Sequence, residues 1–500
     1  MNVSRWAIDR PLPAAMIFVG LCIAGLLGFN AIPVAKFPDI QFPTVTVTVN
    51  LPGATASQLE TDVTRRVEDA VSSIANIRQI ISRVNEGVST TNIVFELGHE
   101  LDQATDEVRD AVTRVRADMP VEIEEPVIQR INVVGGAMLT YAVQSDALAP
   151  DELSWFIDDT VKKTVYSIRG IGSFSRTGGV EREVRVDLDP RALQAYGVPA
   201  NTVSQQLARL QLERPGGRAT QGGQEQSIRT LGTVSTAADL ADFPISLPDG
   251  RTVRLSAIAN VRDGNADPRQ AALLNGETAI GFAIFRSRGV DELEVGQKVR
   301  VAMQKLAAEH PRIKFTEVAS SLEETEASYE SSMTMLFEGG LLAVMVVFLF
   351  LRDWRATWIS AAALPLSIIP TFAVIHLLGF SLNFIVLLAL AVVVGVLVDD
   401  AIVEVENIVR HRRMGKTSMQ AAREAADEIG VAVVATSVTL AAVFLPVAFM
   451  PGIPGKFFRE FGWTAAIAVM FSLLVARMLT PMMAAYFLKG DDKPHPEPRW

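Results

Sequence analysis

Two adjacent carboxylates, Asp399 and Asp400, follow the apolar run Phe384 to Val398 with no break in helical character. Ionisable groups at membrane depth are costly unless paired, hydrated or protonated, and they mark ion or proton pathways. Arg410 is the first basic residue beyond them, which puts Asp400 about 15 Å inside that edge of a helix. Two neighbouring carboxyls in a low-dielectric setting are suited to binding and releasing a proton. The alternative, a span that ends at Val398 with the pair among headgroups, conflicts with Ala401, Ile402, Val403 and Val405, which continue the apolar character. It also sets acids against the dipole of a helix C-terminus. Glu404 and Glu406 lie nearer the inner surface and read as a solvated helix end, while Asn407 continues the Asp400 face. Arg477, in the middle of the last apolar stretch and twelve residues before Lys489, has a similar depth. It is a candidate ion-pair partner for the aspartates, and its long side chain can equally snorkel to water. Glu338 falls near the outer surface, and Pro365, Pro370, Pro446 and Pro481 sit where they loosen backbone bonding inside spans.

Other chemistries find little support. Forty-six basic against 56 acidic residues give 46 − 56 = −10, so the basic surface that nucleic acid requires is missing. Cys22 is the single cysteine and sits in an apolar run, which excludes an internal disulfide and thiolate metal sites. No G-x-x-x-x-G-K-[ST] stretch occurs, so ATP is not the energy source read here. His99, His310, His376, His411 and His495 lack metal-ligand spacing. No metal, no cofactor and no catalytic set is therefore expected.

The elements that must position the aspartates are membrane spans. Charged residues make up 20% of the chain and apolar ones 49%, and the latter are clustered. Six stretches can cross a hydrocarbon layer about 30 Å thick: Pro11 to Phe29, then 336–351, 358–378, 383–404, 431–450 and 464–488. The first is longer than a signal core and no clear A-x-A site follows, so it reads as an uncleaved anchor. Arg352, Arg355, Arg410, Arg412, Arg413, Lys416 and Arg423 lie in two alternate connections; the opposite ones carry only Lys456 and Arg459. Basic loops stay inside, so the three hundred or so polar residues after the first span are outside and the N-terminus is cytoplasmic.

Within that outer segment, Thr44 to Val49 alternates as a half-buried strand and Asn92 to Leu97 forms another. Between them a helix is signalled by Ser57 and Glu60 as a capping box and by the stripe Leu59, Val63, Val67 and Val71. A second helix runs from Asp102 to Asp118 and stops before Pro120. Strand, helix, strand, strand, helix, strand is the split βαβ pattern. A looser second copy has strands near Leu139 to Gln144 and Val184 to Leu188 around a helix near Pro150 to Ile168. It resumes with a strand at Ala279 to Phe285, a helix near 291–308 and a strand near Lys314 to Val318. An insertion at 181–270 contains the Gly-rich stretch Pro215 to Gly223, read as an extended loop. The expected fold class is an α+β membrane protein: a six-helix bundle plus a large outer region of split βαβ (ferredoxin-like) subdomains between spans one and two.

Several motifs together carry a family resemblance: Ile8-Asp-Arg-Pro11, Ile32-Pro-Val-Ala-Lys-Phe-Pro38, Phe350-Leu-Arg-Asp-Trp-Arg-Ala-Thr357, Gly395-Val-Leu-Val-Asp-Asp-Ala-Ile-Val-Glu-Val-Glu-Asn-Ile408 and Leu479-Thr-Pro481. Over nearly its whole length the chain resembles the N-terminal half of a resistance-nodulation-division transporter of the hydrophobe/amphiphile multidrug-efflux type. That resemblance implies a homotrimer in the bacterial inner membrane, in which proton entry drives export of small amphiphilic substrates. It would make the large outer region periplasmic. A periplasmic adaptor and an outer-membrane channel complete the route, and a C-terminal half of the pump supplies a central lysine. Asp399 and Asp400 match the proton-relay pair. The implied organisation is 1–30 as N-terminus and first span, 31–134 as a first porter subdomain, and 135–180 with 271–330 as a second. Residues 181–270 would be a funnel or docking insertion, 331–490 spans two to six and 491–500 a cytoplasmic tail. Met138 and Thr177 stand where multidrug members place pocket phenylalanines, and Arg477 stands where an apolar residue is expected. Heavy-metal export, and a non-transporting protein that binds a partner or assists secretion, are the competing readings.

Overall fold

A computed structural model describes residues 3–39, 43–96, 98–130, 136–208, 210, 214–221, 224–230, 234, 236–268 and 270–488. The expected tail at 491–500 and the subdomain boundary near 134 lie outside the described residues.

Among the described residues six helices are long and apolar enough to cross a membrane: Pro11–Ala31, Leu322–Leu351, Trp354–Leu377, Phe384–Arg413, Ser418–Ala448 and Gly452–Phe487. Side chains of Asp353, Asn383 and Thr417 accept from the first free N–H groups of the third, fourth and fifth, the usual way of satisfying a helix start. The helices outrun the apolar stretches. The second begins at Leu322 rather than near 336, with Leu322, Thr325 and Ser332 buried, and the fifth begins at Ser418 rather than near 431. Apolarity marks only the lipid-facing length, whereas the hydrogen-bonded rod continues into water. The fourth span is the axis of the bundle. Its Leu387, Leu390, Val393, Val394, Leu397 and Val398 are buried against Ala465, Ala468 and Val469 of the sixth.

Between the first two spans the chain folds into two α+β units of the same topology. In the first, β1 (Thr44–Asn50), β2 (Ile77–Asn85), β3 (Val88–Phe95) and β4 (Val127–Arg130) form an antiparallel sheet in the order β2-β3-β1-β4. The first helix starts two residues earlier than the capping-box reading: Thr55, not Ser57, accepts from Gln58 N at 3.3 Å. Leu59, Val63, Val67 and Val71 are all buried as expected. Their spacing of four would drift about 40° per step around a regular α-helix. A π-helical turn at Glu60–Thr64 underwinds the helix between Ala56–Leu59 and Arg65–Ser72 and reduces that drift. The second helix, Leu101–Val115 with a 3-10 turn to Asp118, ends ahead of Pro120.

In the second unit, β5 (Leu139–Ser145), β6 (Ile171–Thr177), β14 (Glu277–Arg286) and β15 (Ile313–Ser320) repeat the order, β6-β14-β5-β15, with the short β13 (Ala272–Leu274) sharing an edge of β14. Here the sequence reading needs correction. Val184 to Leu188 does not join this sheet: it lies in β7 (Arg182–Leu188), which pairs with β12 (Ala259–Asn265). Val186 and Leu188 pack on the insertion's own core of Val198, Val203, Ile245, Leu255 and Ile258. The true second strand, β6, is apolar only at Ile171 and Phe174 and so carries little period-2 signal. The Gly-rich stretch is part of a hairpin of β8 (Arg214–Gln221) and β9 (Gln224–Thr230) rather than a plain loop, and its last two residues lie outside the described residues.

A strap joins the second unit to the bundle. Val34, just past the first span, bridges Leu382, and Leu382 N donates to Pro33 O at 2.9 Å. On its other side Val34 N donates to Asp291 Oδ2 at 2.9 Å, and Glu292 N donates to Val34 O at 2.9 Å. Beside it Arg286 pairs with Asp39 at 2.7 Å and with Glu292 at 3.5 Å, while Ser321 Oγ donates to Glu292. All three charged side chains are largely buried.

Candidate functional site in the fourth span

Asn383 fixes the start of the fourth span: its Oδ1 accepts from Ile385 and Val386 N, and its Nδ2 donates to Glu460 of the sixth span at 2.6 Å. From there the α-helix runs unbroken to Arg413. Asp400, Glu404, Asn407 and His411 fall at i, i+4, i+7 and i+11, one face of a helix. All four are buried, with exposures of 8%, 0%, 7% and 7%. Asp399 and Glu406 point off that face and are exposed on the surface of this chain.

Asp400 meets the fifth span. Ser437 Oγ stands 2.8 Å from Asp400 Oδ2 and also 2.8 Å from Val433 O. A hydroxyl has one proton and two lone pairs, so it serves one acceptor at a time. It donates to an ionised Asp400. If Asp400 is protonated, its O–H can donate to Ser437 Oγ, and the serine proton returns to Val433 O.

Glu404, expected in a solvated helix end, is instead fully buried, and neither of its oxygens has a hydrogen-bond partner among the described residues. The residue i+4 from a buried carboxylate shares its face, a relation that apolar-run counting ignores. Arg477 does not pair with the aspartates: its Nη1 lies 3.8 Å from Glu404 Oε2 and donates to Ala426 O at 2.8 Å. The guanidinium fits because Gly430 of the fifth span has no side chain; a Cβ there would stand 2.5 Å from Arg477 Nη2. Arg477 sits in a π-helical turn, Val475–Leu479. Pro481 lacks the N–H that an α-helix would direct to the Arg477 carbonyl, which favours widening at that point.

Further along, Asn407 Nδ2 donates to Ala425 O at 3.2 Å, and its Oδ1 accepts from Arg410 Nε at 3.1 Å. His411 Nε2 lies 2.6 Å from Glu428 Oε2, and Lys416 Nζ lies 3.0 Å from its Nδ1. Lysine can only donate, so this geometry fits the neutral Nε2–H tautomer. The polar face therefore extends from Asp400 to the basic end of the helix. Sequence reasoning found its ends but missed Glu404, His411 and Ser437.

Comparison with known proteins decides the family. The chain matches the AcrB/AcrD/AcrF family over residues 3–499. It belongs to that family. Within the AcrB/AcrD/AcrF family it is similar to proteins named multidrug resistance protein MdtC. It is 33% identical over 484 residues to that of Pantoea ananatis, covering 96% of this chain and 47% of the relative. To those of Klebsiella pneumoniae and Escherichia coli it is also 33% identical, over 490 and 494 residues, covering 98% of this chain and 48% of each relative. The chain thus spans about half the length of the curated relatives it matches. Family membership and the six spans identify a multi-pass membrane protein of the resistance-nodulation-division type.

The two positions read as a substrate pocket by family resemblance are not brought together. Met138 is 1% exposed, in the core of the second α+β unit, with its N–H bound to Ile284 O. Thr177 is exposed and lies opposite Gly281, about 10 Å along β14 from Ile284. A separate cleft of about 790 Å³ separates the two units, with Thr105, Arg109 and Arg130 on one side and Gly172 and Ser173 on the other.

Proposed function

We propose that this chain takes part in proton-motive-force-driven export of hydrophobic and amphiphilic compounds across the inner membrane. Asp399 and Asp400 bind the coupling proton. In this reading the two α+β units and the insertion are periplasmic, and residues 31–134, 135–180 with 271–330, and 181–270 act as two porter subdomains and a docking part. The N-terminus is cytoplasmic. The pump works as a homotrimer with a periplasmic adaptor and an outer-membrane channel, and includes a further portion equivalent to the half of the relatives that this chain does not match.

The observation that carries the reading is Asp400: a buried carboxyl midway along an unbroken apolar helix, bonded to a hydroxyl that has an alternative acceptor 2.8 Å away. Such a group binds and releases a proton without leaving a partner stranded. Asp399, on the exposed side of the helix, offers the adjoining carboxyl to whatever packs there. The multidrug names of the relatives support the substrate class.

The test is Asp400→Asn in the complete native pump. Substrate-dependent proton movement and export should fall to background while the protein still inserts and accumulates. Wild-type export from this variant would sink the antiport reading.

A further inference from the structure

One turn beyond Asp400, about 6 Å along the axis, Glu404 is a second carboxyl that the antiport reading leaves without a role. It is fully buried and its two oxygens have no hydrogen-bond partner among the described residues. Three helices build its surroundings. The fourth span supplies the carboxyl, and the sixth supplies Arg477. The fifth supplies the slot at Gly430 and the carbonyl of Ala426, which holds Arg477 Nη1 at 2.8 Å. The remaining gap of 3.8 Å is too long for a hydrogen bond.

A purely structural buried ion pair closes to hydrogen-bond distance and satisfies both carboxylate oxygens, because an under-bonded buried charge is destabilising. This one does neither. The cation is anchored to a backbone carbonyl, and among the described residues no protein group hydrogen-bonds the carboxyl oxygens. That arrangement suits a group that carries a proton in one phase and is countered by a nearby positive charge in the next. The charged groups around it are Asp400 and Asp399 on one side and Arg477 across from it. Arg410, His411, Lys416, Glu424 and Glu428 lie at the basic end.

We propose that Glu404 is a second proton station, which receives the coupling proton from Asp400 and passes it toward His411 and Glu428 at the cytoplasmic end. This rests on the antiport reading above. In the first step the O–H bond of Asp400 breaks, one water carries the proton across the turn, and an O–H bond forms on Glu404. Asp400 is left ionised and takes back the Ser437 hydroxyl. In the second step Glu404 gives its proton to water leading to the helix end, and Arg477 offsets the carboxylate that remains.

The experiment measures substrate-dependent proton flux in membrane vesicles carrying the complete native pump. Glu404→Gln should lower the flux at least tenfold, and Glu404→Asp, which keeps a carboxyl, should retain a third or more. The double variant Glu404→Gln with Arg477→Met removes both charges; it should accumulate normally and stay as slow as Glu404→Gln. Wild-type flux in Glu404→Gln, or recovery of flux in the neutral double variant, would overturn the proposal by showing that the pair only packs. Asp400→Asn is run alongside. If it is inactive while Glu404→Gln is normal, the second station alone fails; if Asp400→Asn is itself normal, the antiport reading fails and the station with it.

Discussion

The hydroxyl of Ser437 reaches the carboxylate of Asp400 from the neighbouring helix at 2.8 Å. It is the one side-chain hydrogen bond that Asp400 makes among the described residues. A hydrogen bond to a charged group contributes about 1.5–3 kcal/mol. Ser437→Ala is expected to slow substrate-dependent proton movement roughly tenfold, the equivalent of about 1.4 kcal/mol, with expression unchanged. Transport kinetics on Ser437→Ala and Ser437→Thr check this: threonine keeps the hydroxyl and should keep most of the rate.

The first and third spans touch through glycine. A Cβ at Gly25 would stand 2.0 Å from Ile369 O, and one at Gly28 would stand 2.9 Å from Ala373 Cα, whereas Gly20 has nothing within 4 Å. Close backbone approach between membrane helices depends on such small residues. Gly25→Val should therefore lower thermal stability in detergent sharply, on the scale of an overpacked core at about 1–3 kcal/mol or more. Gly20→Val should leave it unchanged, and an equal loss in both would refute the argument.

Arg286 is held between Asp39 and Glu292 with only 7% of its side chain exposed. Removing one member of a buried charge cluster leaves the others uncompensated, at a cost of about 3–5 kcal/mol. Arg286→Met should be strongly destabilising by thermal unfolding. Arg286→Met combined with Asp39→Asn and Glu292→Gln should recover part of the loss, since no charge is then stranded.

The second α+β unit carries a pH-dependent bond. Arg300 donates to Glu317 at 2.5 and 3.1 Å, and Tyr141 Oη donates to it at 2.9 Å. The Arg300 guanidinium holds the Glu317 carboxyl below its usual range, and burial followed by the bond to Glu317 pushes the Tyr141 phenol above its usual value. A depressed carboxyl stabilises the fold above its unfolded pKa, about 4.3, and loses that contribution as pH falls through the lower folded value. A raised phenol stabilises below its unfolded pKa, about 10, and loses that contribution as pH climbs through the folded value. Arg300→Met should thus lower stability at pH 7 by about 1–3 kcal/mol, with a smaller penalty once the pH falls below the depressed folded value of Glu317, where its carboxyl is protonated. Melting curves of the full-length protein at pH 7 and at a pH well below the usual carboxyl range measure the difference.

Much of the architecture was legible because long apolar runs and period-2 alternation report burial directly. The six spans, β1, the Leu101–Val115 helix and β14 follow from such runs. What escaped did so for physical reasons. Strand β6 is mostly small and polar and is held by pairing with β14, so nothing local announces it. Val184 to Leu188 alternates well but finds its partner in β12, a choice made by tertiary packing. In the site, Asp400 stood out as a charge inside apolar sequence, but Glu404 was hidden by nearness to the polar helix end. Its burial depends on Arg477 and Gly430, more than twenty residues away on other helices.

The fourth span adjoins the strap through Leu382, immediately before its cap at Asn383. From that cap to Asp400 no proline, π turn or break interrupts the helix, so the intervening length, about 26 Å, behaves as one stiff rod. The strap that grips Val34 also grips the second α+β unit through Asp291 and Glu292. A tilt of that unit would therefore reach the Asp400 carboxyl, and its place beside Ser437, through the rod. In the antiport reading proposed above, proton occupancy at Asp400 and the posture of the second α+β unit would share one mechanical coordinate.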